Sequence, residues 1–158
     1  MERLLMAASF TAALGCGVAA GVFFAFSSFV MPALGRLPAL QGIAAMQAIN
    51  VAAVTPAFMT ALFGTAALCL ALGAALLFRW PGSGGGYVLA GAVLYLVCAI
   101  LVTMLCNVPR NDRLAALDPG GADVAGIWAA YLTEWSGWNH LRAAGSLAAA
   151  ACFILALL

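Results

Sequence analysis

The sequence predicts an all-α integral membrane protein: a four-helix bundle made of two pseudo-repeated helical hairpins whose long loops share one face. Three observations carry this reading: the composition, the placement of the charges and a motif that occurs twice. Of 158 residues, 66% are hydrophobic and 7% are charged, with a mean hydropathy of +1.13. Soluble domains carry about 25% charged residues, so this chain lacks the charge for a water-facing surface. No collagen-like glycine period and no polar tracts are present, which excludes fibrous and disordered classes. A net charge of +1 does not provide the basic face that nucleic acid requires. Lysine is absent, and the alanine excess beside it reads as the codon bias of a GC-rich genome.

The charges leave four stretches free: 4–35, 37–78, 80–109 and 143–158. A helix crossing ~30 Å of hydrocarbon needs about 20 apolar residues, and helices satisfy every backbone group internally. One domain, 1–158, is therefore expected, with spans near 4–30, 53–78, 87–107 and 139–158. Gln41, Gln47 and Asn50 make 37–50 an interfacial helix rather than bilayer core. Asp118-Pro119-Gly120-Gly121 is a turn signal, after which a helical segment over 123–138 runs into the last span. The connection between spans two and three, Arg79-Trp80-Pro81 through Gly86, is a short turn with an interfacial tryptophan. Arg3 before an apolar run resembles an export signal, but the run continues well past Cys16 and reads as a retained span. Cys16, Cys69, Cys98, Cys106 and Cys152 all fall inside spans without a CxxC pair and are expected to pack rather than react.

Pro32 to Leu40 and Pro109 to Leu117 both read P-x-x-x-R-L-x-A-L, 77 residues apart, which points to a duplicated hairpin. Spans one and three would then run in the same direction, related by an axis along the membrane normal. Arg36, Arg110, Arg113 and Arg142 on the long-loop side outnumber Arg3 and Arg79 on the other, nominally placing the long loops in the cytoplasm of a bacterial cytoplasmic membrane, a bias that disappears if Arg110 and Arg142 are kept for a site. Gly17-x-x-x-Gly21 fits close helix packing, within the bundle or in a homo-oligomer formed through small-residue faces.

Polarity is concentrated at the long-loop end, where residues 110–142 hold seven of the eleven charges, the one histidine and three of the four tryptophans. On a helix, Trp128, Tyr131, Trp135, Trp138 and Arg142 recur every three or four residues and share a side, with Asn139 beside Trp135 and Arg142. An aromatic interface belt with a snorkelling arginine produces the same stripe, although a belt seldom needs Asn, His and Arg beside it. The expected pocket lies between spans two, three and four. Pro109 frees backbone carbonyls at the end of span three, and Asn107 or Asn111 is expected within hydrogen-bonding reach of Asn139, His140 or Arg142.

Trp135-Ser-Gly-Trp138-Asn139-His140-Leu-Arg142, Asn107-Val-Pro109-Arg110-Asn111 and Met46-Gln47-Ala-Ile-Asn50 together resemble the anthrone oxygenase-like membrane proteins, over almost the whole chain. The resemblance implies oxidation of anthrones to anthraquinones by molecular oxygen, with no metal or flavin cofactor firmly associated, and implies no role for any individual residue. The residues themselves are compatible with that chemistry. An anthrone has an acidic benzylic carbon whose enolate reacts directly with oxygen, so a base, an oxyanion site and a flat pocket suffice. Histidine is the one side chain type whose unperturbed pKa lies near neutrality, which makes His140 the candidate general base. Arg142 and Arg110, with the amides of Asn139, Asn111 and Asn107, are candidates to stabilise the enolate oxygen. Trp135 and Trp138 are candidates to stack on a planar polycycle, with Tyr131 and Asn50 completing the substrate-binding set, and the bilayer supplies substrate and oxygen.

Each residue also has a simpler reading. His140 can be a packed, hydrogen-bonded side chain; Asp112 can pair with Arg110 or Arg113; Glu134 can face water or act as an alternative base. A lone histidine argues against a metal site. Transport is disfavoured because spans one to three carry no ionisable residue at mid-bilayer besides cysteine and tyrosine. The competing class is a non-catalytic membrane protein or subunit that binds a hydrophobic ligand in the same pocket, which leaves enzymatic activity open.

Overall fold

In a computed structural model, residues 2–78, 82, 84–118 and 123–158 are described. Among them all regular structure is helical. Five helices follow in order: α1 (Arg3–Leu34), α2 (Ala39–Ala52), α3 (Pro56–Phe78), α4 (Gly84–Ala115) and α5 (Val124–Leu155). Helices α1, α3 and α4 are long and apolar enough to cross a membrane. Helix α5 is as long, at 32 residues, but carries Glu134, Asn139, His140 and Arg142 in its middle. The expected turns at Arg79-Trp80-Pro81 and Pro119-Gly120-Gly121 lie outside the described residues.

Local chemistry sets the helix limits. Thr55 caps α3 by accepting from the Phe58 N–H at 3.2 Å, with Pro56 in the first turn, where a missing N–H costs nothing. Asp123 caps α5 by accepting from the Gly126 N–H at 3.1 Å. Helices α1 and α4 both run through a proline instead of stopping before it. In each, a π-helical stretch precedes the ring: Phe26–Val30 before Pro32, and Thr103–Asn107 before Pro109. The wider turn re-registers the ladder where proline would otherwise remove a bond and clash with a carbonyl. Span three is therefore part of a helix that continues eight residues beyond Asn107, through Ala115.

Helix α5 lies between α1 and α4, and α3 closes the opposite side against the same two helices. Their shared core contains Cys16, Phe23, Cys69, Tyr95, Ala149 and Phe153. All five cysteines are free, with Cys16 and Cys69 fully buried. Small residues allow the close crossings: a Cβ on Gly145 of α5 would overlap Cys98 of α4, and one on Gly15 of α1 would overlap Thr65 of α3. Gly17 and Gly21 have no neighbour against their open side, so the GxxxG motif is not a contact within the chain. It sits on an outer groove because its glycines face away from the stripe Ala12, Cys16, Ala19 and Phe23 that α1 buries. A second apolar cluster caps the bundle, with Met31, Leu34, Met46, Leu114, Trp128 and Trp135 among its members. Helix α2 is fastened there by Gln47, whose Nε2 donates to the Leu114 carbonyl at 2.8 Å.

Candidate functional site

A cavity of about 550 Å³ opens between the helices at this end, within the size range of small-molecule sites. All five helices contribute: Phe23 and Phe26 from α1, Met46, Ile49 and Asn50 from α2, Phe58, Leu62 and Phe63 from α3, Thr103, Met104 and Asn111 from α4, and Trp135 and Arg142 from α5. The pocket was expected between spans two, three and four; α1 and α2 are walls as well. The π-helical stretches of α1, α3 and α4 each place residues on it: Phe26, then Leu62 and Phe63, then Thr103 and Met104. Irregular helix is tolerated in a bilayer where side chains satisfy the carbonyls it frees. Here the Tyr95 hydroxyl donates to the Leu62 carbonyl at 3.1 Å, and Asn139 donates to that of Phe23 at 2.7 Å.

One polar chain links α4 to α5. Asn111 Oδ1 accepts from both the Tyr131 hydroxyl, at 2.9 Å, and Trp135 Nε1, at 2.8 Å. Asn107 Nδ2 donates to the Trp135 carbonyl at 3.2 Å, while its own Oδ1 is buried and unpartnered among the described residues. Trp128 stacks on Tyr131 with ring centroids 5.5 Å apart, and Tyr131 on Trp135 at 6.4 Å. All three aromatics are buried, so this part of the stripe is interior wall and not an interface belt. Burial pushes the Tyr131 hydroxyl well above its ordinary pKa, against smaller opposing effects of Asn50 and Arg142.

Among the described residues Arg142 is the one charge that lines the cavity. The residue is 6% exposed, and among the described residues it has no carboxylate partner. Nη1 donates to Thr103 Oγ1 at 3.1 Å and Nη2 to Asn139 Oδ1 at 2.6 Å, while Nε is buried without a partner. The guanidinium lies 4.3 Å from the Phe23 ring centre and 5.1 Å from that of Trp135, so aromatic faces stand where an anion would. Asn139, fully buried, also donates through Nδ2 to Ser27 Oγ at 2.7 Å.

The structure thus brings together Asn50, Asn107, Asn111, Tyr131, Trp135, Asn139 and Arg142, and separates three other residues from them. His140 is exposed and lines a second groove of about 590 Å³ with Gly17, Gly21, Ser27 and Ser28. At about 100° per residue, a position two before Arg142 points to the opposite side of α5, which is why the shared stripe does not include it. Trp138 is 37% exposed, and Arg110 stacks over it at 5.9 Å while pairing with Glu134 at 2.9 Å. Asn107 and Asn111 reach the Asn139–Arg142 pair through Trp135, not through the direct bonds expected. Thr103 was missed, although Thr103, Asn107 and Asn111 recur every four residues along α4 and so mark one face. Among the described residues no group of three His, Cys, Asp or Glu side chains gathers as a metal site requires.

Comparison with known proteins adds one finding: the family model described as Anthrone oxygenase matches residues 56–152. That range contains α3, α4 and the Trp135 to Arg142 segment. No curated protein matches the chain, and no solved structure does.

Proposed function

The chain belongs to the anthrone oxygenase family, and from that premise we propose that it is a membrane-embedded oxygenase acting on a planar, hydrophobic, anthrone-like ketone held in the five-helix cavity. The observation that carries this reading is the buried guanidinium of Arg142, without a carboxylate partner, facing an apolar and aromatic chamber. Such a cation stabilises an oxyanion strongly because water does not compete with it. With the ketone oxygen at Arg142, loss of the benzylic proton leaves an enolate whose carbon bonds to one atom of O2. Loss of water from the resulting hydroperoxide gives the quinone. One oxygen atom enters the product, the other leaves in water, and no external reductant is consumed. Asn139 holds Arg142, and Trp135 with Phe23 and Phe26 offers aromatic faces to the rings. His140 opens onto the other groove, so the proposal gives it no part as the base.

The same proposal places the chain in the lipid bilayer with four crossings, the fourth being the Asn139 half of α5, and in the bacterial cytoplasmic membrane. The π-helical stretch before the motif proline in both α1 and α4 supports the duplicated-hairpin origin. The test is oxygen uptake by the purified chain in lipid nanodiscs on addition of anthrone, with anthraquinone measured as product. Stoichiometric uptake abolished by Arg142→Ala in a folded chain supports the oxygenase. A second reading, ligand binding without chemistry, is favoured by the absence of any His, Asp or Glu among the cavity's lining residues; binding of anthrone without uptake would select it.

A further inference from the structure

Among the described residues Arg142 is the only ionisable side chain lining the cavity, and each neighbouring element presents it with something other than an anion. From α1 comes the Phe23 ring, from α4 Thr103 Oγ1, and from α5 itself Asn139 Oδ1 and the Trp135 ring. Helix α2 contributes Asn50, and α3 contributes apolar residues and Thr55. Tyr131 is the one titratable group whose charge would act on it, and burial keeps that hydroxyl protonated. The acids at this end are committed or turned outward: Glu134 pairs with Arg110, Asp123 caps α5, and Asp112 is exposed. His140 opens onto the other groove.

The polar groups that remain among the lining residues are hydroxyls and side-chain amides, and none of them is an acid. Asn111 Oδ1 already accepts two hydrogen bonds, which leaves its Nδ2 group to offer to a ligand. A buried charge left uncompensated is strongly unfavourable. A cavity with a cation, free N–H groups and no acceptor acid is therefore complementary to an anion with a flat apolar body.

We propose that the ligand is Arg142's missing counter-ion: the site takes its substrate as the enolate of a cyclic aryl ketone, and no protein side chain acts as general base. The benzylic C–H bond breaks, its electron pair passes to the ketone oxygen, and the proton leaves to water at the cavity mouth. This deepens the oxygenase reading and rests on it for the identity of the ketone. It adds that catalysis begins by lowering the substrate's own pKa.

The test uses the full chain in nanodiscs under argon, with anthrone as probe and its enolate absorption followed against pH. An opposite charge at close range lowers an acid's pKa by roughly 1–3 units, so the midpoint should fall by that amount relative to empty discs. Arg142→Gln should return it to the empty-disc value, and His140→Ala should leave the shift in place. The wild-type midpoint alone decides the matter should Arg142→Gln not fold. Admitting oxygen afterwards separates the two ideas. Oxidation with an unshifted midpoint, or a shift lost in His140→Ala, overturns the anion proposal and leaves the oxygenase standing. A shift without oxidation upholds the anion site and overturns the oxygenase. Absence of both removes both.

Discussion

Asn139 Oδ1 accepts from Arg142 Nη2 at 2.6 Å, one turn apart on the buried side of α5, while its amide nitrogen is bonded to the Phe23 carbonyl and Ser27 Oγ of α1. One side chain therefore joins two helices and aims the cavity's cation. Leaving buried polar groups unpaired costs about 1–3 kcal/mol each, more when one is charged. Asn139→Leu is expected to lower the unfolding midpoint in detergent by at least that amount and to reduce oxygen uptake with it. Asn139→Asp is expected to act differently, because a carboxylate beside Arg142 supplies the anion internally. Uptake should fall further in Asp than in Leu when both are normalised to folded protein.

Asn111 serves two buried donors at once, Tyr131 and Trp135. Asn111→Leu strands both, so a loss of roughly 2–6 kcal/mol is expected, from about 1–3 for each orphaned group. Tyr131→Phe added to that background removes one orphan and should recover part of the loss. A double-mutant cycle on thermal or denaturant unfolding measures the coupling, and strictly additive effects would disprove the shared acceptor.

The sequence discloses the long helices and the buried stripe because both are periodic properties of one segment. Charge-free stretches mark where α1, α3 and α4 run, and the three-and-four spacing of Trp128, Tyr131, Trp135 and Arg142 marks which side of α5 is buried. What depends on several helices at once stays hidden. The π-helical stretches are not marked by their own residues, since neither Phe26–Val30 nor Thr60–Gly64 has a composition that distinguishes it. The motif Trp-Asn-His-x-Arg groups His140 with Arg142 by proximity along the chain, whereas helix rotation puts them on opposite sides. Conversely, Ser27 meets Asn139 across 112 residues, a pairing with no local signature. Helix α2 was legible as a separate short helix, but not as a cavity wall.

The α4–α5 crossing depends on Gly145. An added Cβ there would overlap Cys98 Cβ and stand 2.6 Å from its sulfur, and overpacking of this kind typically costs about 1–3 kcal/mol. Gly145→Ala should destabilise the folded chain by that amount. Cys98→Gly removes the obstructing atoms and should recover most of the packing loss, less about 1 kcal/mol for glycine within a helix. The unfolding midpoints of the two single variants and the double variant provide the check.

Topology turns on whether α5 crosses. With four crossings, the residue that caps α5 and the chain's last residue lie on opposite sides. Single cysteines at Asp123 and Leu158 should then react with a membrane-impermeant maleimide from opposite sides of sealed vesicles. Both positions are exposed, while the native cysteines Cys16 and Cys69 are buried and should stay silent. Labelling of both sites from one side would reduce the crossings to three and leave α5 at the interface.

Occupancy of the cavity can be tested without touching any polar group. Ile49 lines it from α2 and is half-buried, so a larger side chain there grows into empty volume rather than into packed neighbours. Leu40, on the same helix, is 51% exposed and lies outside the lining, which makes it the matched control. An indole at 49 should fill enough of the roughly 550 Å³ chamber to exclude a tricyclic ligand, lowering anthrone binding and uptake by at least about tenfold, or ~1.4 kcal/mol. The unfolding midpoint should stay level or rise, because filling a void restores contacts. Leu40→Trp should change neither quantity. Equal activity in both variants would mean that the ligand does not occupy the chamber beside Arg142, and the groove containing His140 would then have to be considered as its site.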